Sequence, residues 1–197
     1  MVDLQAYLET KLREIISSWH DDEAFAISFF VYANETYRYK SYTNVTEFSV
    51  SYRKESDCCG ADEFSEKRWD YAFWSRNEIP VIAAEDENEG AKILFDWYEE
   101  NGVENIGYED YSACYDDEMK YIGKGPVGYY ELLSEITTVA RKLQESGWIQ
   151  SQFGRSIPII IHDLDYSWYT IEATRRINRN GEADAFLAAM KKLGYTD

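Results

Sequence analysis

Cysteine is scarce in this sequence, and the three cysteines do not form the regular pattern of a disulfide framework. Cys58 and Cys59 are adjacent and Cys114 stands alone, which is typical of proteins from a reducing compartment. No stretch approaches the roughly 18 apolar residues that are needed to span a bilayer. The first residues also lack the basic and apolar regions of a secretory signal. We therefore expect a cytoplasmic protein that does not enter a membrane.

Positive charge is scarce as well, because 20 Lys and Arg stand against 37 Asp and Glu, a formal net charge of −17. Such a chain repels nucleic-acid phosphates and anionic lipid headgroups, so neither is an expected partner. The acidity is concentrated between Glu85 and Glu118, where thirteen acids accompany a single base, Lys92. A local acidic block of this kind indicates a basic protein partner rather than a uniform solubilising surface.

The acidic block is also rich in tyrosine, unlike a disordered acidic tail. Its carboxylates would steer a basic protein towards this region, and its tyrosines would supply contact area. The predicted partner-binding residues are Glu104, Tyr108, Glu109, Asp110, Tyr111, Tyr115, Asp116, Asp117 and Glu118. The same pattern also fits a solvated acidic loop whose tyrosines belong to the core, and the sequence leaves both interpretations open.

The length and the 45% apolar content predict one domain, spanning residues 1–197. Helical spacing of apolar residues predicts helices over 4–20, 129–143, 166–177 and 182–193, and from Asp86 to Gly102. A further helix is predicted over 44–52, capped by Asn44. Strands are predicted over 24–32, 36–42, 67–76, 79–83 and 157–161. Glycines and the lack of a period predict a long acidic loop at about 104–127.

The order of these elements predicts the fold class. Strands and helices do not alternate regularly enough for a doubly wound sheet, so we expect an α+β fold. Its antiparallel or mixed sheet would have helices packed over it. The almost wholly apolar run 24–32 is expected in the centre of the sheet and paired with 36–42 in a hairpin. Pro158 indicates that 157–161 is an edge strand or begins there.

His162, Asp163 and Asp165 follow the predicted strand 157–161. Side chains at a strand end can converge on a metal ion or act as an acid and a base. A metal site that also used His20 is conceivable, and an ordinary polar turn explains the same residues. No cofactor is predicted.

Four short segments carry a resemblance to known sequences: AFAISFFVY at 24–32, NVTEF at 44–48, RWDYAFW at 68–74 and ESGW at 145–148. With the order of elements, they make the chain similar to a bacterial family, domain-of-unknown-function family 4303. The family supplies no catalytic residues. Small acidic proteins of this kind look like immunity proteins, which neutralise toxins of related bacteria, and this analogy implies an inhibitor.

The leading expectation is a non-enzymatic protein-binding module, an immunity-like inhibitor that binds a basic partner through its acidic, Tyr-rich surface. Two alternatives stay open. One is a structural or regulatory module that forms a homodimer through exposed aromatic residues. The other is a metal-dependent hydrolase centred on His162.

Overall fold

The computed structural model describes residues 2–19, 23–74, 77–85 and 88–196. Within them, four strands form one sheet: β1 (Ala24–Tyr39), β2 (Tyr42–Lys54), β3 (Ile79–Ile82) and β4 (Ile159–His162). The strand order is β3-β2-β1-β4. β2 runs antiparallel to β1 and β3, whereas β4 runs parallel to β1. The mixed sheet and its helices confirm the predicted single α+β domain.

The same residues form seven helices, namely α1 (Leu4–Ser17), α2 (Glu66–Trp69), α3 (Glu89–Glu100), α4 (Tyr129–Glu145), α5 (Trp148–Phe153), α6 (Trp168–Ile177) and α7 (Asp184–Leu193). The longer ones follow apolar stripes. In α1, for example, Leu4, Leu8 and Leu12 lie four residues apart and are all buried. None of the helices in the described residues is both long and apolar enough to cross a membrane.

The main core lies on one face of the sheet, beneath α1, α3 and α4. Ile27, Phe29 and Val31 of β1 are completely buried there. Phe48 and Val50 of β2 extend the same layer. Because successive side chains of a strand point to opposite faces, the residues between these positions face the other side of the sheet.

A second, smaller core covers that other face. Trp69 and Trp74, from the segment after β2, pack with Phe186 of α7 against Ala26 and Ile160 of the sheet. Helix α6 packs against both α4 and β4, at the edge of the sheet. The centre of β1 is therefore buried on both faces, as its unbroken apolar sequence predicts.

Two predictions around the hairpin are wrong. β1 continues to Tyr39, so 36–42 is not a separate strand, and the hairpin turns at Lys40 and Ser41. Segment 44–52 is not a helix but belongs to β2, in which the buried Phe48 and Val50 alternate with serines. Side chains that alternate with a period of two fit a strand. Pairing with β1 also satisfies the backbone hydrogen-bonding groups of the whole segment, so the strand is favoured over the helix.

The strand predicted over 67–76 is also wrong. Its first part is the short helix α2, followed by a turn of 3₁₀-helix over Tyr71–Phe73. The Asp70 carboxylate accepts a hydrogen bond from the backbone N–H of Ala72 and so caps that turn. Arg76 lies outside the described residues.

The remaining predicted elements are confirmed within a few residues. Helix α3 begins at Glu89, and Asp86, the predicted start, lies outside the described residues. β4 is an edge strand, as Pro158 indicated.

Candidate functional site

The long acidic segment between α3 and α4 is anchored to the body of the domain. The Gly107 N–H donates to the Val127 carbonyl and the Val127 N–H to the Tyr108 carbonyl, both at 2.9 Å, which closes the base of the segment. Asn44, in the β1–β2 hairpin, donates from Nδ2 to the Gly107 carbonyl at 3.2 Å. The side chain of Ile106 is buried in the main core. These contacts give the acidic segment a defined conformation.

Three of the predicted partner-binding acids hold this conformation from within. Glu109 Oε1 accepts a hydrogen bond of 2.6 Å from the Tyr121 hydroxyl. Asp110 Oδ1 accepts from the backbone and hydroxyl of Ser112. Asp116 Oδ1 accepts from the backbone N–H groups of Glu118 and Lys120. Substitution of these acids would change the shape of the segment as well as its charge.

The other predicted partner-binding residues lie on the surface: Glu104, Tyr108, Tyr111, Tyr115, Asp117 and Glu118. The three tyrosines are 62%, 56% and 43% exposed, in chain order. They do not belong to the core, in contrast to the alternative that the sequence left open. Met119 and Ile122 are exposed beside them at 75% and 51%, and no sequence pattern pointed to these two.

A groove of about 840 Å³ runs beside this segment. Tyr115, Lys120 and Tyr121 line one part of it. The residues 163–169 line another part together with Ile171, Glu172 and Arg175, and Tyr195 lies near the C-terminal end of the described residues. The indole N–H of Trp168 donates to the Gly123 carbonyl at 3.0 Å and ties the two parts together. Tyr115 of the acidic segment and Asp163 and Asp165 of the strand end, which were predicted as parts of separate sites, therefore line one groove.

The groove also contains apolar surface that sequence patterns did not reveal. Leu164, just after β4, is 73% exposed, and Trp168, at the start of α6, is 39% exposed. Both line the groove. Large apolar side chains that stay exposed beside one another are typical of interaction surfaces.

Asp163 lies where the groove meets the core. Its Oδ2 is 2.7 Å from the Tyr129 hydroxyl, which also lies 3.0 Å from the Val31 carbonyl. Burial raises the pKa of Asp163 to about 6, although hydrogen bonds from Tyr129 and the Leu164 N–H lower it in part. The tyrosine has one proton for two acceptors. A protonated Asp163 can donate to the hydroxyl oxygen while the hydroxyl donates to Val31, so the geometry accommodates the neutral acid.

His162 faces the other side of the sheet and is completely enclosed. Its Nε2 is 2.8 Å from the Trp69 carbonyl, which can only accept, so Nε2 carries the proton. Nδ1 then accepts from the Ser28 hydroxyl at 2.7 Å. Burial lowers the pKa of His162 to about 4, so the ring is neutral at pH 7. Both ring nitrogens are occupied by protein groups, and this histidine offers no lone pair to a metal.

The predicted strand-end metal group is therefore not assembled. Within the described parts of the chain, no three or more His, Cys, Asp or Glu side chains are grouped so that they could hold a metal ion. Asp165 is exposed on the groove, whereas His162 is buried and both of its ring nitrogens are engaged by protein groups. His20, the other histidine considered for a metal site, lies outside the described residues.

Comparison with protein-family models, with curated proteins and with solved structures gives no match. The resemblance to family 4303 therefore stays a prediction that rests on the four segments quoted above.

Proposed function

We propose that this protein is a non-enzymatic binding protein that uses the groove face to bind and block a basic protein. We define the groove face as the groove together with the exposed side chains of the acidic segment beside it. The observation that carries the proposal is the concentration of exposed aromatic and apolar side chains at this one place. Among the exposed large apolar residues in the described parts of the chain, Tyr115, Leu164, Trp168 and Tyr195 line the groove itself.

The charge of the groove face indicates which partner would fit. Asp117, Glu118 and Asp165 are exposed acids on it. Arg175, one of its bases, is engaged by Glu172 at 2.7 Å and contributes little free positive charge. A face with this balance attracts lysine and arginine side chains and accelerates association with a basic protein.

The aromatic side chains would supply the affinity that exposed charges do not. Tyrosine and tryptophan are enriched among the residues that carry most of the binding energy at interfaces. An arginine of the partner can also stack on an aromatic ring such as Trp168 or Tyr115 while its guanidinium meets a carboxylate. This division of roles supports an inhibitor that associates fast and dissociates slowly.

The same charge argues against self-association through this face. A second copy would bring an equally acidic face, and like charges placed opposite each other weaken an interface. A homodimer is thus the less favoured alternative. We place the protein in the cytoplasm, where its cysteines would stay reduced, and the resemblance to family 4303 supports an immunity-like role.

The test is affinity capture from a lysate of the native host, followed by measurement of the affinity for the captured protein. Three exposed acids of the groove face are neutralised together, Asp117→Asn, Glu118→Gln and Asp165→Asn. None of the three accepts one of the hydrogen bonds that shape the acidic segment. We expect a basic protein to be captured by the wild type at low salt and the triple variant to bind it about tenfold or more weakly.

A matched control removes as much charge elsewhere. Glu14→Gln, Glu85→Gln and Glu99→Gln change exposed acids on α1, after β3 and on α3, away from the groove. This variant should bind like the wild type if the groove face is the site. Equal losses of affinity in both triple variants would show that only the net charge matters. Unchanged affinity in the groove variant would show that the groove face is not part of the interface. Sedimentation at several concentrations would reveal a concentration-dependent dimer, the competing result.

A further inference from the structure

A group of buried polar atoms without partners lies on the face of the sheet that carries His162, outside the groove. Four buried side-chain atoms have no hydrogen-bond partner within the described parts of the chain: Ser51 Oγ, Arg53 Nε, Arg53 Nη1 and Trp74 Nε1. The three residues are only 1%, 2% and 7% exposed, in that order. Buried polar groups are almost always paired, so such a group calls for a physical explanation.

These atoms belong to one neighbourhood. Ser51 and Arg53 are two residues apart on β2 and so project from the same face of the sheet. The guanidinium carbon of Arg53 lies 5.8 Å from the centre of the Trp74 ring. Opposite Arg53 on β1 is Ala26, whose side chain offers no hydrogen-bonding group to Arg53.

The charge of Arg53 is poorly compensated. Within the described residues, its guanidinium makes one hydrogen bond, from Nη2 to the Asp57 carbonyl at 3.4 Å. His162, which lies close enough to Trp74 to stack edge-on at 4.8 Å, is neutral and supplies no negative charge. The face of the Trp74 ring attracts the guanidinium but accepts no hydrogen bond from Nε or Nη1, so these two donors have lost their hydration without gaining a partner among the described residues.

We propose that a small inorganic anion, of the size of chloride, binds between the Arg53 guanidinium and the Ser51 hydroxyl beneath Trp74. Arginine and the tryptophan N–H can only donate, whereas the serine hydroxyl can donate and accept, so the group has more donors than its single acceptor can satisfy. An anion accepts from all of them and carries the missing charge. A water molecule would accept two hydrogen bonds at most, and its own protons would find only the Ser51 oxygen among these atoms.

Such an anion would have a structural role, independent of the groove face. It would hold the segment that carries Trp74 against β2 by joining the two through shared hydrogen bonds. Binding to the folded state alone stabilises a protein by mass action. Each tenfold rise in anion concentration above the dissociation constant would add about 1.4 kcal/mol to the free energy of unfolding.

The test compares thermal unfolding in sodium chloride and in sodium gluconate at equal ionic strength, since gluconate is too large for an enclosed site. We expect a higher melting temperature in chloride, rising with its concentration. Arg53→Met should abolish the difference in melting temperature between the two salts, and Ser51→Ala should weaken it. Arg179→Met, which changes an exposed arginine paired with Glu145, should leave it intact.

Crystals grown or soaked in sodium bromide give a second readout that does not depend on a variant that folds. An anomalous peak within hydrogen-bond distance of Arg53 Nε and Ser51 Oγ would support the proposal. Equal melting temperatures of the wild type in the two salts at every concentration would overturn it. So would a water molecule, without anomalous signal, at that position in bromide.

Discussion

His162 of β4 provides a direct test of whether the face of the sheet on which it lies is enclosed. Burial lowers the pKa of His162 from 6.5 to about 4, the charge of Arg53 adds to this effect, and the hydrogen bond with the Trp69 carbonyl opposes it. Because the unfolded chain takes up the proton first, the folded state is fully favoured above pH 6.5 and loses stability as the pH falls towards 4. At 1.36 kcal/mol per pKa unit, the complete loss is about 3 kcal/mol, of which about 2 kcal/mol has occurred at pH 5.

The perturbation is His162→Gln, which removes the titrating group and keeps a side-chain N–H donor for the Trp69 carbonyl. At pH 7.5 we expect the variant to be less stable than the wild type by about 1–3 kcal/mol, because the Ser28 hydroxyl loses its acceptor and the fit is imperfect. At pH 5 the free energy of unfolding of the wild type is lowered, because its histidine is protonated in the unfolded chain but neutral in the folded state. The variant has no such loss. The difference in the free energy of unfolding should therefore shrink by about 2 kcal/mol.

The assay is urea unfolding of both proteins at pH 7.5 and pH 5.0, with NMR of the imidazole nitrogens as a direct readout. The chain contains only two histidines, so the signal that the variant lacks is assigned to His162. We expect that ring to stay neutral, with its proton on Nε2, down to pH 5. A titration midpoint near 6.5, together with a stability difference that does not change with pH, would refute the enclosed position of this side chain.

Three further predictions follow from other parts of the fold. The pKa of Asp163 is raised to about 6, so its ionisation beside Tyr129 destabilises the folded wild type as the pH rises. In urea unfolding, the free energy of unfolding of Asp163→Asn should therefore increase by about 1 kcal/mol relative to that of the wild type between pH 5 and pH 7.5. A difference that stays constant with pH would contradict this. Gly107→Ala should destabilise more than Gly102→Ala in the same assay. Both glycines have positive φ, so alanine at either position strains the backbone by about 1–2 kcal/mol. Only at position 107 would the new Cβ also collide with a backbone oxygen, that of Thr43, at 1.9 Å. A thiol reagent should modify Cys59 quickly in the native protein and the two buried cysteines only after denaturation, and three equally fast thiols would be inconsistent with the fold.

Local pattern determined much of the fold. The apolar stripe of α4 and the glycine that follows it specify that helix without reference to the rest of the chain. The unbroken apolar run of β1 indicates a strand that is covered on both faces, and the second core confirms it. In each case the information lies in the spacing of neighbouring residues, which a single sequence displays directly. The acidic block is of the same kind, because charge is a property of composition.

Tertiary structure decided the rest. Segment 44–52 is a strand because pairing with β1 satisfies its backbone, although its apolar spacing also fits a helix. Glu109 turns inward because the Tyr121 hydroxyl is within reach, so an acid that looks available in the sequence stabilises its own segment instead. Likewise, His162 and Asp163 are adjacent in sequence but lie on opposite sides of the sheet. Only the groove reveals that Tyr115 and Leu164 share a surface, because that contact joins residues far apart in the chain, and no local pattern records which distant residues will meet.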